Sequence, residues 1–78
     1  MRPVTLYTRS GCCLCDDAKE TLKKYEITHA LDIREIDVDD DNELIRRYGD
    51  CVPVVLIDGQ VRFRGRVNEV LLKRLLRH

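Results

Sequence analysis

The sequence predicts an α/β fold, a four-stranded mixed sheet with three helices ordered βαβ and then αββα. Three observations carry this reading. A β-branched and aromatic run, Val4 to Thr8 ("VTLYT"), leads directly into an apolar helical stripe. The segment "VPVVLIDGQVRF" has the form of a strand, a tight turn and a return strand, and the chain closes on a leucine-rich helical pattern.

The first strand, Val4 to Thr8, stops at a Ser-Gly break where the cysteines begin. Cys15, Ala18, Leu22 and Tyr25 then recur with the spacing of one helix face, which predicts a helix from about Cys13 to Tyr25. In "REIDV", Arg34 to Val38, Ile36 and Val38 share one side, as in a half-buried edge strand. Leu31 and Ile33 alternate out of phase with them, so a bulge or bend is expected near Arg34. Asp41 offers an N-cap, Leu44, Ile45 and Tyr48 a narrow apolar stripe, and Gly49 suits a left-handed C′ position, giving a helix of about two turns.

Val54 to Ile57 is apolar throughout, as a central strand buried on both faces would be. The Asp58-Gly59 pair suits a type I′ turn, and Val61 to Phe63 forms the return strand. The tail presents Val67, Val70, Leu71, Leu72, Leu75 and Leu76, an apolar face wide enough to cover a sheet, with Lys73, Arg74 and Arg77 toward its C-terminal end. The first strand, helix and second strand form a right-handed parallel crossover, and the closing hairpin adds an antiparallel edge.

Seventy-eight residues suffice for one core, so residues 1–78 are expected to form a single domain. Lys plus Arg and Asp plus Glu number 14 each, and this balance excludes a global charge drive toward nucleic acid or a membrane surface. The stretch "MRPVTLYT" turns polar too early for a signal peptide, and no apolar run approaches the roughly 18 residues of a membrane span. A soluble, cytoplasmic monomer is expected. Charge is nonetheless uneven: Asp37, Asp39, Asp40, Asp41 and Glu43 form an acidic run, whereas Arg62, Arg64, Arg66, Lys73, Arg74 and Arg77 make the last third basic. Both read first as solvated surface, with a docking face as the alternative.

Three of the four cysteines fall within "CCLC", Cys12 to Cys15. In a reducing compartment such bunching points to catalysis or metal binding rather than to a disulfide framework. Cys12 and Cys15 have C-x-x-C spacing at a strand-to-helix junction, so one helical turn brings their sulfurs within bonding reach. Cys12 stands at the helix start, where unpaired N–H groups and the positive dipole end favour a thiolate, and it is the expected nucleophile. Cys15 shares the packed face with Ala18 and Leu22, so it is expected to be shielded, protonated and the resolving thiol. Cys13 points away from the core, and its bridges to either neighbour are geometrically poor. Arg9 can attract the Cys12 anion, whereas Asp16 and Asp17 favour the helix terminus but repel charge nearby.

These residues resemble the glutaredoxin-like branch of the thioredoxin superfamily. The resemblance rests on "LYTRSGCCLCDDAK", on "IDVD" at Ile36 to Asp39, on "RYG" at Arg47 to Gly49 and on "CVPVVLIDG" at Cys51 to Gly59. It implies a thioredoxin-like fold and thiol-disulfide exchange at Cys12 and Cys15, with disulfide-containing proteins or small disulfides as partners. It further implies a cis Val52-Pro53 bond beside the cysteine pair, and a Val52 backbone that hydrogen-bonds the substrate as an added strand would. Independently, a proline entering a central strand removes a ladder donor and requires a special reason.

Several positions depart from the family pattern. Cys13 and Leu14 stand where the family usually has Pro-Tyr. Gly65-Arg66-Val67-Asn68 lacks the second glycine and the aspartate that hold glutathione. Arg9 stands where a glutathione-binding lysine is common and could retain a carboxylate contact. The expected site is therefore Cys12 and Cys15 as catalytic thiols, Arg9, Val52 and Pro53 around the substrate, and Cys13 and Cys51 as accessory thiols. No bound cofactor or metal is expected, and glutathione is a candidate co-substrate.

Cys51 reads first as a small buried hydrophobe and secondly as a member of the redox cycle or of a metal site. Tyr7 and Tyr48 read as core, and His29 and His78 have no ligand spacing. Two other functions remain open: metal or iron-sulfur binding through the N-terminal cysteines with Cys51, and a non-enzymatic binding module using a groove near Leu14 and Val52.

Overall fold

A computed structural model describes residues 2–77, so His78 lies outside the described residues. The chain forms β1 (Arg2–Thr8), α1 (Cys13–Lys24), β2 (Leu31–Asp37), a 3-10 turn (Val38–Asp40), α2 (Asn42–Tyr48), β3 (Val54–Ile57), β4 (Gln60–Arg64) and α3 (Glu69–Leu76). The sheet order is β2-β1-β3-β4, with β1 parallel to β2 and antiparallel to β3, and β3 antiparallel to β4. This is the mixed thioredoxin-like sheet with three helices.

Alternation along the strands divides the sheet into two faces. Val4, Leu6, Leu31, Val55, Ile57 and Phe63 turn to one face and pack with Ala18 and Leu22 of α1 and Leu72 and Leu76 of α3. At about 25 cal/mol per Å² of apolar surface removed from water, this contiguous cluster is the main source of stability. On the opposite face, Tyr7 of β1 stacks on Tyr48 of α2 with ring centroids 4.7 Å apart.

Four local expectations are corrected. β2 pairs without interruption from Arg2↔Leu31 to Thr8↔Asp37, so there is no bulge near Arg34. The apparent phase change has a simpler cause: Ile36 lies on the face opposite Leu31, and Val38, fully buried, belongs to the 3-10 turn after the strand. The irregularity instead falls between β3 and β4, where Val55↔Phe63 is followed by Leu56↔Val61. Gly49 is right-handed at φ −55°; a Cβ there would stand 2.5 Å from the Ile45 carbonyl oxygen, so close approach rather than a left-handed turn requires glycine.

The α3 face is narrower than its sequence suggests. Leu72 and Leu76 are buried, but Val70 and Leu71 stay 62% and 47% exposed, because an eight-residue helix meets the sheet along one stripe. Finally, β1 begins two residues earlier than its β-branched run, since Arg2 and Pro3 pair with Leu31 and Asp32. Asp58 and Gly59 have φ of 55° and 82°, as a type I′ turn requires.

Candidate active site

The parallel β1–β2 register and the β1–β3 pairing bring three segments to one end of the sheet. Thr8 lies beside Asp37, and Tyr7 beside Val54. The loop after β1, which carries the cysteines, is therefore flanked by the end of β2 on one side and by the Val52-Pro53 loop on the other. Gly11, at φ 76°, turns the chain out of β1, and the Cys12 amide donates back to the Arg9 carbonyl at 3.3 Å.

Cys12 is the N-cap of α1. Its backbone is extended (φ −94°, ψ 108°), and its sulfur accepts the Cys15 backbone N–H at 3.3 Å. A thiol or thiolate thus replaces the oxygen usual at this position, and one of the helix's first unpaired donors, the Cys15 N–H, is aimed at sulfur. Partial exposure leaves this atom open to a second sulfur. Cys15 is 4% exposed on the face shared with Ala18 and Leu22. Burial, reinforced by the hydrogen bond with Cys12, pushes its thiol up to about 12, so it stays protonated at neutral pH.

The remaining expected residues are distributed unevenly. All four cysteines are free thiols; Cys13 is exposed, and Cys51 is half-buried just past α2, its amide bonded to the Tyr48 carbonyl at 3.0 Å. The Val52-Pro53 bond is cis, Pro53 is buried, and its carbonyl accepts the Gly65 amide at 2.8 Å. Arg9 does stand beside the pair, but its guanidinium is engaged: Nη2 lies 3.0 Å from Asp39 Oδ1, and Nη1 donates to the Gly49 carbonyl at 3.2 Å. Among the described residues, no group of three or more His, Cys, Asp or Glu side chains is placed to hold a metal ion.

Cys12, Cys15 and Arg9 share a cavity of about 380 Å³ on the β2 side, whose lining includes Asp16, Glu35, Asp37 and Asp40. Val52, Pro53, Cys13 and Cys51 do not line it. The sequence places Asp16 near Cys12 but gives no sign that Glu35, Asp37 and Asp40 belong to the site. The acidic run was visible, but only the Thr8↔Asp37 register carries it to the cysteine loop, and parallel register is a tertiary property.

Comparison with known proteins adds the family. The model of the Glutaredoxin-like domain (DUF836) family matches residues 3–77. A glutaredoxin-like protein of Dictyostelium discoideum is 33% identical over 72 residues, spanning 85% of this chain and 67% of that protein. The X-ray structure of a protein from X. campestris matches with a TM-score of 0.77 and 32% identity, over 94% of this chain and 93% of that one. A mutant thioredoxin from Halobacterium salinarum shares the fold, with a TM-score of 0.72 and 22% identity over 96% and 71% of the two chains.

Proposed function

The chain belongs to the glutaredoxin-like family, whose thioredoxin-like fold is of a redox type, and on that premise we propose that it is a thiol-disulfide oxidoreductase acting through Cys12 and Cys15. The Cys12 thiolate attacks one sulfur of a substrate disulfide. The substrate S–S bond breaks as a mixed disulfide forms, and the departing thiolate takes a proton from solvent. Cys15 then loses its proton and attacks Cys12, closing an intramolecular disulfide and releasing the second thiol. Two electrons pass from the cysteine pair to the substrate, and of the two protons on the product thiols one comes from Cys15 and one from solvent. A small thiol or dithiol reverses the change, and no bound cofactor takes part.

The observation that supports this reading most is the asymmetry of the pair. The outer sulfur caps a helix from a half-buried residue that lines the cavity, while the inner one is buried, protonated and one turn away. This suits an attacking thiol and a resolving thiol that stays silent until a mixed disulfide forms beside it. The Val52 backbone, at the same end of the sheet, is the proposed contact for an extended substrate.

The test is reduction of a neutral small disulfide, hydroxyethyl disulfide, by the pre-reduced protein. Wild type should oxidise one cysteine pair per molecule. A Cys15→Ser variant should accumulate the mixed disulfide on Cys12, visible by intact mass. A Cys12→Ser variant as active as wild type would end the proposal.

A further inference from the structure

The cavity beside the cysteine pair is a wall of the site proposed above, and its charge bears on which disulfide the site accepts. Four carboxylates line it, from Asp16, Glu35, Asp37 and Asp40, against one guanidinium, that of Arg9. Arg9 offsets them only in part: its closest partner is Asp39, outside the lining, its fork is filled by that carboxylate and the Gly49 carbonyl, and of the four it acts on Asp37 at longer range. Lys19 reaches Glu35 at 3.3 Å and compensates that carboxylate alone. Asp37 accepts the Asp39 amide at 2.9 Å, which orients its carboxylate without neutralising it. The chain carries equal numbers of acidic and basic residues, so this negative field is a local arrangement and not a reflection of net charge.

A disulfide must bring one of its two flanking groups to each side of Cys12. One side is the Val52-Pro53 loop; the other is this cavity. We propose that the cysteine pair acts on disulfides whose flanking groups are cationic, a basic peptide or an aminothiol disulfide, and discriminates against anionic ones such as glutathione disulfide. The proposal deepens the oxidoreductase reading and rests on it: the site is the thiol pair, and the carboxylates set its selectivity. Each half of glutathione disulfide carries net negative charge and meets repulsion, whereas an ammonium near the attacked sulfur meets attraction and offsets the charge spread over three sulfurs in the transition state. The exchange is the one already written, two electrons and two protons passing to the disulfide, so the balance does not depend on the flanking groups.

The experiment is a single-turnover comparison of the pre-reduced protein with three disulfides: cystamine (cationic), hydroxyethyl disulfide (neutral) and glutathione disulfide (anionic). Each rate is divided by that of the same disulfide with free mercaptoethanol, which removes intrinsic reactivity. At low ionic strength the normalised rate for cystamine should exceed that for glutathione disulfide by about tenfold or more. The ratio should shrink severalfold at about 1 M salt, where the screening length is only ~3 Å. It should also fall severalfold in an Asp37→Asn, Asp40→Asn double variant, and an Asp40→Lys variant should bring it toward parity; Asp40 is exposed, so this change leaves the fold intact. Equal or inverted rates in wild type, or a ratio indifferent to these variants, overturn the charge selectivity while leaving the oxidoreductase reading in place. Failure to reduce the neutral disulfide overturns that reading, and the selectivity with it.

Discussion

The two ends of the sheet are both tied by side chains but differ in what caps the helix there. Opposite the cysteines, side chains tie elements that are distant in sequence. Arg2 reaches Asp58 and the Leu75 carbonyl, each at 2.8 Å, and the Tyr25 hydroxyl donates to Glu69 at 2.6 Å with Lys24 alongside at 3.4 Å. At the cysteine end, the sulfur of Cys12 occupies a cap position that elsewhere in the chain is filled by an oxygen, from Asp41 before α2 and Asn68 before α3. Sulfur is the weaker acceptor, so this helix start gives up local stability for reactivity. Arg9, bound to Asp39 and the Gly49 carbonyl, fastens the cysteine end too, so the difference lies in the caps: only there is a helix start held by a reactive thiol, and the thiol and the fastening contacts should respond to mutation independently.

The sharpest division would come from Cys12→Ser, which should reduce disulfide exchange to the uncatalysed background while leaving Tm close to wild type, since serine is itself a good N-cap. A large fall in Tm would mean that the sulfur also fastens the fold. Leu22→Ala works in the opposite direction: this fully buried residue joins α1 to the sheet, and its truncation should cost about 2–5 kcal/mol in chemical denaturation while the folded fraction keeps its exchange rate. Asn68→Ala, which removes the oxygen that accepts the Leu71 amide at 3.1 Å, should cost about 1 kcal/mol and leave exchange untouched.

Two pH effects probe the ends separately. Cys15 is raised above the ordinary thiol value of 9.0, first by burial, so the stability it contributes is complete below pH 9.0 and is lost as pH climbs toward about 12. Iodoacetamide at pH 8.0 should therefore alkylate Cys13 and Cys12 and spare Cys15 in the folded protein; early modification of Cys15, read by peptide mapping, would contradict the buried resolving thiol. At the other end, the Tyr25 hydrogen bond, with Lys24 beside it, holds the Glu69 carboxyl below its ordinary value of 4.5. Its contribution is present above pH 4.5 and lost as pH falls through the lowered folded value. Tyr25→Phe should thus lower Tm slightly at pH 7, and the difference should close in acid; a gap that persists there would assign it to packing instead.

Much of the architecture was legible in the residues themselves. The hairpin was clear because Asp58-Gly59 tolerates positive φ at both central positions, and the first helix because Cys15, Ala18 and Leu22 recur on one face. The shielding of Cys15 followed from that same periodicity. A local pattern carries no information about its partners. Periodicity puts Ile36 and Val38 on one strand side and Val70 and Leu71 on the sheet-facing stripe, because it reports which residues share a face but not how far the opposing surface extends.

By itself, then, the sequence determined the order and type of the elements, the two thiols one helical turn apart and the capping of the first helix by sulfur. These are short-range matters, decided by backbone geometry and spacing within a few residues. Only the tertiary structure decided that Arg9 would be held by Asp39 and the Gly49 carbonyl, and that Asp37 and Asp40 would line the same cavity as Cys12. Those placements join residues some twenty-five to forty positions apart, and the parallel register of β1 and β2 brings Asp37 to the end of β1. Register is settled by burial of the whole core, a collective term that no local stretch of sequence expresses.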